Sequence, residues 1–102
     1  MDILLFTPCP GSKKLIALTS ASQSVALDAN GTSVHIVNMG NITAYVNLGA
    51  SGMTAAATDF PLLVNQSVIM PKGSSVNGSA ITIGTPAGNV AFTTGYGNFL
   101  GT

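Results

Sequence analysis

Residues 32–49, TSVHIVNMGNITAYVNLG, carry the sharpest alternation of apolar and polar positions in the chain. Val34 and Ile36 before Gly40, and Ile42, Ala44, Val46 and Leu48 after it, recur with the period of two that sets successive strand side chains on one face. The pattern predicts a β-hairpin turned by Asn38-Met39-Gly40 with Gly40 in the left-handed conformation, pairing Ile36 with Ile42. His35, Val37 and Tyr45 then fall on the outward face, His35 close to Thr43 and Tyr45. With almost no charge nearby to solvate it, that face is expected to lie under an arm or against a neighbour.

The same pattern supplies further strands. Residues 3–6 are a short apolar run closed by Pro8-Cys9-Pro10-Gly11, which reads as an arm because a central strand does not tolerate so much proline. Residues 14–18 and 22–27 follow as strands, and Asn30-Gly31 marks a reversal. Residues 49–58, which include Met53, lack alternation and form the longest expected loop. Residues 59–64 and 66–70 are strands again, with Pro61 confining the first to an edge or to its own beginning, and residues 71–74 are a turn. A second Asn-Gly, at Asn77-Gly78, predicts a turn ahead of a strand over 79–84, and a last strand spans 89–94. Val25, Leu27, Val68, Met70, Ile81, Ile83, Val90 and Phe92 are the expected layer opposite the hairpin. A strand about every ten residues favours an antiparallel β-sandwich, jelly-roll or immunoglobulin-like, of about seven or eight short strands. The sandwich is expected over residues 14–94, with irregular arms at 1–13 and 95–102.

Composition agrees with an all-β chain and adds a hint of assembly. The 102 residues suit one domain with a real core. Only 6% are charged (Asp2, Lys13, Lys14, Asp28, Asp59 and Lys72), where an ordinary soluble domain carries about a quarter. Ser, Thr, Asn and Gly cover the surface instead, and the usual helix formers are scarce. A net charge of zero gives little repulsion between molecules, and interface cores are depleted of charge. No basic stripe exists to neutralise phosphates, so nucleic acid is not an expected partner. The single cysteine, Cys9, reads as a small, half-buried hydrophobe. Asp2 stands where an export signal needs a positive charge, and no apolar run reaches the roughly 20 residues of a membrane span. Synthesis in the cytoplasm, with no membrane partner, is the expectation.

Candidate chemistry is sparse. His35 is the only histidine and falls mid-strand, so a catalytic triad would need it to meet Asp2, Asp28 or Asp59. One His, one Cys and three scattered Asp show no metal-ligand spacing, and Gly95-Tyr96-Gly97 has no helix after it to hold a phosphate. The chain therefore reads as non-enzymatic, without metal or cofactor. Four N-x-S/T triplets, at Asn30, Asn41, Asn65 and Asn77, are expected by chance in so Asn-, Ser- and Thr-rich a chain. Ile3, Leu4, Leu5 and Phe6 at one end and Tyr96, Phe99 and Leu100 at the other are apolar side chains in segments too irregular for the sheets. They pack back onto their own domain or dock onto neighbouring subunits.

Residues 22–49, VIMPKGSSV at 68–76 and SAITIGTPAGNVAFTTGYG at 79–97 resemble small β-rich virion proteins encoded among the head genes of tailed bacteriophages, some of them capsid decoration or cement proteins. The shared features, N-x-G-x-x-x-A-Y-V-x-L-G and P-x-G-S, are marks of a fold rather than of a chemistry. The resemblance implies a small sandwich or barrel, oligomeric and plausibly trimeric, bound to the major capsid protein on the outside of the virion. The candidate partner surface read from the apolar ends and the outward face combines Ile3, Leu4, Leu5, Phe6, His35, Val37, Tyr45, Met53, Tyr96, Phe99 and Leu100. The alternative is a host-surface or glycan-binding module of a head or tail fibre, using Tyr45, His35 and the 49–58 loop.

Overall fold

The computed structural model describes residues 6–19, 21–50, 54–56, 59–82 and 88–97. Nine strands run in chain order: β1 (Thr7–Pro8), β2 (Lys14–Ala17), β3 (Gln23–Ala26), β4 (Ser33–Asn38), β5 (Ala44–Gly49), β6 (Phe60–Leu62), β7 (Ser67–Pro71), β8 (Asn77–Thr82) and β9 (Asn89–Tyr96). They form two antiparallel sheets. One is five-stranded, in the order β1-β9-β4-β7 with β2 also paired to β9, and the other is four-stranded, in the order β3-β8-β5-β6. The β1 and β2 segments lie along the same side of β9, Thr7 opposite Tyr96 and Ala17 opposite Asn89, so they act as one edge strand interrupted by the proline-rich residues between them. Counted that way, the sheets read β2-β9-β4-β7 and β3-β8-β5-β6. This order is that of a jelly roll, in which the chain crosses between sheets at nearly every connection. It is the jelly-roll form of the expected sandwich, not the immunoglobulin one.

The hairpin expected at residues 32–49 does not form. β4 belongs to the five-stranded sheet and β5 to the four-stranded one, so Ile36 pairs with Val68 and Phe92 rather than with Ile42. Gly40 is absent from the positive-φ positions, and the chain arches from sheet to sheet over the Asn38 side chain. Asn38 is fully buried. Its Nδ2 donates to the carbonyls of Ile42 and Leu62, both at 2.9 Å, and its Oδ1 accepts the Gly40 amide at 2.8 Å. A hairpin turn would leave this side chain on a strand face; here it supplies the backbone partners that the arch and the end of β6 otherwise lack.

Alternation nevertheless identified the inward side of both arms. Val34 and Ile36 face Ala44 and Val46 across the sandwich, and all four are buried. Ile16, Leu18, Leu27, Leu62, Val90 and Phe92 complete the core, with Val25, Leu48, Val68 and Met70 packed on it. Burying each of the larger side chains is worth about 1.5–3 kcal/mol.

On β8 the expected parity is wrong by one. Ala80 and Thr82 are buried, opposite Val46 and Ala44, while Ile81 turns outward beside Tyr45. Thr82 satisfies its hydroxyl on the Thr19 carbonyl at 3.1 Å. Asn77-Gly78 is likewise no turn but the start of β8. Gly78 is needed for space: a Cβ there would lie 2.7 Å from the ring of Phe92, which is itself fully buried. The narrow, small-residue face of β8 thus receives the bulk that β9 contributes. Strand pairing also reaches past the expected arm boundaries, through Thr7 and Pro8 at one end and Gly95 and Tyr96 at the other. Ile83 lies outside the described residues.

Replacing Asn38 by Leu leaves two carbonyls and an amide without their partners at a buried site. The expected loss is about 3 kcal/mol, read from urea unfolding. A change below about 0.5 kcal/mol would show that the arch does not depend on this amide.

Candidate interaction surface

The expected surface residues do not form one patch. Ile3, Leu4, Leu5, Met53, Phe99 and Leu100 lie outside the described residues. His35 and Val37 project from the outer face of the five-stranded sheet, because Val34 and Ile36 on either side of His35 point inward. Tyr45 projects from the outer face of the four-stranded sheet, between Ile81 and Pro61. His35 and Tyr45 are therefore on opposite sides of the sandwich, and the glycan site that combined them is not assembled. Thr43 is not beside His35 either; its strand neighbours are Thr93 on β9 and Ile69 on β7.

Phe6 covers part of the His35 face. The two rings are 5.6 Å apart at an interplanar angle of 51°. Gly95 makes this possible, since a Cβ at that position would meet the Phe6 ring at 2.8 Å. Phe6, just before β1, thus lies over the sheet, which is part of the cover expected for this face. Nε2 of His35 is sealed from solvent and has no hydrogen-bond partner among the described residues, although the ring as a whole is only half-buried. Desolvation by burial holds its pKa below the ordinary value of 6.5. The strand neighbours Thr93 and Ile69 and the Phe6 ring bring no charge that would oppose that effect.

The outward positions of β4, β7 and β9 carry no charge. Leu15, Ala91 and Val37 form one row across β2, β9 and β4, and Thr93, His35 and Ile69 form the next. Leu15 is half exposed, at 51%. Thr7 opposes Tyr96 at one corner of this sheet.

A second apolar cluster caps one end of the sandwich and was missed in the sequence. Met39, Leu63 and Val64 are exposed there, Leu63 at 55%. They are adjacent because the Asn65 amide donates to the Asn38 carbonyl at 3.1 Å and the Asn38 amide to Gln66 at 3.0 Å. The turn after β6 is tight: Gln66 Oε1 accepts the Leu63 amide at 2.9 Å, and Asn65 has a φ of 62°. Asn65 beside Gln66 was the available signal, since Asn tolerates that conformation. Reading residues 59–64 as one strand placed Leu63 and Val64 inside it instead. The described residues of the four connections at this end, after β2, β4, β6 and β8, include no charged side chain, whereas Asp28 and Lys72 belong to the connections at the opposite end.

Between β5 and β6, the described residues 54–56 and 59 pack back on the domain. Ala55 is buried and its amide donates to Ser22 Oγ at 2.8 Å, while Asp59 Oδ2 accepts the Ala56 amide at 2.7 Å. Asn47 Nδ2 reaches Asp59 Oδ1 at 3.4 Å. No group of three or more His, Cys, Asp or Glu converges among the described residues. Cys9 is free and half-buried.

No protein-family model, curated protein or solved structure matches this chain.

The His35 environment gives a pH dependence. A folded-state pKa below the unfolded one means that the unfolded chain takes up a proton first as pH falls. The stabilisation is thus present above the ordinary value of 6.5 and is lost as pH drops through the lower folded-state value. Melting temperature should fall between about pH 7 and pH 5 in the natural chain, and this fall should be largely absent in His35→Thr. Equal pH dependence in both would contradict burial of the imidazole.

Proposed function

We propose that the protein is a non-enzymatic structural component of a tailed-bacteriophage virion, a decoration or cement protein that binds the outside of the capsid shell and stabilises it as a homo-oligomer. The observation that carries the proposal is the distribution of charge and exposed apolar side chains over the jelly roll. One end presents Met39, Leu63 and Val64 without a charge in its described residues, and the outer face of the five-stranded sheet presents Leu15, Val37 and Ile69. Jelly rolls are frequent among viral capsid domains, which fits this reading, though the fold also serves lectins.

In this reading the uncharged end meets the shell and the end carrying Asp28 and Lys72 faces solvent. Each contact is worth roughly 25 cal/mol per Å² of apolar area removed from water, so a few hundred Å² is modest alone. A homo-oligomer engages more than one shell subunit at once, and every contact after the first is then made at high effective concentration. Weak apolar contacts in this arrangement clamp a lattice without any strong single site.

The test uses shells of the phage that encodes the chain, with and without the protein bound. Shells carrying it should resist heat better, and the Met39→Lys/Leu63→Lys double variant should bind at least about tenfold more weakly while melting like the natural chain. Binding of glycans or of host cells, with no affinity for shells, would contradict the proposal.

A further inference from the structure

The sandwich has open sheet edges, and natural proteins blunt such edges because unpaired backbone groups recruit other strands. Three are blunted here. The β1–β2 edge is interrupted by Pro8 and Pro10 and carries Lys13 and Lys14; β6 has Pro61 at its centre; β3 is only Gln23–Ala26, with Asp28 just beyond it. β7 differs. It is the last strand of the five-stranded sheet, runs SVIMP, and has no charge and no proline before its final residue.

The phase of the β4–β7 ladder shows which groups are open. The Asn38 amide donates to the Gln66 carbonyl at 3.0 Å and the Lys72 amide to the Thr32 carbonyl at 2.9 Å. Bonded and non-bonded pairs alternate along an antiparallel ladder, so Val68 and Met70 bond to β4 while Ser67 and Ile69 direct their N–H and C=O away from it. No bond from either to another described residue appears on that side.

We infer that β7 is a self-association edge that pairs antiparallel with β7 of a second copy about a two-fold axis at Val68. In this register Ser67 of one copy exchanges both backbone bonds with Ile69 of the other, and symmetry repeats the exchange. All the open groups of both residues are then used, and Pro71, which lacks an N–H, falls outside the exchange. A second copy is the fitting occupant because an antiparallel edge is complementary to itself under a two-fold operation. Without charge on the strand, nothing repels the like copy, and the two five-stranded sheets become one. The half-buried Ile69, His35 and Val37 lie on the same outer face, so the joined sheets present a wider uncharged surface. This deepens the homo-oligomer part of the proposed function by naming the contact, and replaces the expected trimer with a two-fold pair. It is tested on the isolated chain, so it fails or succeeds independently of shell binding.

Sedimentation equilibrium of the full chain should give a dimer. Ser67→Pro, which removes an edge N–H at the first residue of the strand and no bond to β4, should raise the dimer dissociation constant at least about tenfold with an unchanged circular dichroism spectrum. Ser24→Pro, at the competing β3 edge, should leave it unaltered. On the natural chain, dilution should speed amide exchange at Ser67 and Ile69 while Val68 and Met70 stay protected, a readout that survives if the proline variant does not fold. A monomer or trimer at all concentrations, a dimer broken by Ser24→Pro but not by Ser67→Pro, or concentration-independent exchange at Ser67 and Ile69 would overturn the inference.

Discussion

The buried amide of Asn38 joins the two sheets, and much of the topology follows from how it is satisfied. Its three hydrogen bonds reach the arch that it begins, through Gly40 and Ile42, and the last residue of β6, through Leu62. One side chain thereby ties β4 in one sheet to the approach to β5 and the end of β6 in the other. A fully buried amide is costly unless its groups are paired, so the arrangement is strongly specified. With β4 and β5 held apart, each must find strand partners elsewhere. β4 takes β9 and β7, β5 takes β8 and β6, and the interleaved order of a jelly roll results.

The sequence made the strand positions and most inward faces legible, because period-two alternation is local and survives whatever the partners are. Val34, Ile36, Ala44 and Val46 lie in the core as their alternation predicts, although their strands pair with other partners. Alternation states which side of a strand is buried, and an arch between sheets preserves that side as well as a hairpin does. Asn38 could be read as a turn residue as easily as a buried joint, since the difference lies in carbonyls such as that of Leu62, far along the chain. Asn77-Gly78 misled for a related reason: the glycine answers to the ring of Phe92 and not to positive φ. On β8 the inward positions go to Gly78, Ala80 and Thr82, with Gly78 making room for the Phe92 ring, and Ile81 between them faces outward. Of the candidate surface, the outward placement of His35, Val37 and Tyr45 was legible; that Tyr45 lies on the other side of the molecule was not.

Scarcity of charge acts on this frame in two ways. Within the domain it leaves small polar side chains to do the work of satisfaction, as when the Ser12 hydroxyl reaches the Thr94 carbonyl or Ser22 Oγ accepts the Ala55 amide. Between molecules it leaves large areas with nothing to discourage contact. Jelly-roll topology distributes the few charges unevenly, because alternate connections go to opposite ends of the sandwich, and one end receives apolar tips while the other receives Asp28 and Lys72. The edges divide similarly: prolines and lysines guard β1, β2 and β6, and β7 is left open. The fold thus turns a uniformly charge-poor sequence into a body with distinct surfaces, and this unevenness is what makes assembly the natural reading.

Everything placed on those surfaces depends on β4 and β5 lying in separate sheets, and strand-to-strand backbone proton contacts measured by NMR address that point most directly. Close Hα–Hα contacts are expected between Ile36 and Phe92 and between His35 and Ile69, with none between β4 and β5. Contacts linking Ile36 to Ile42 and Val34 to Ala44 would mean a closed hairpin, and would contradict the jelly roll and the two surfaces derived from it.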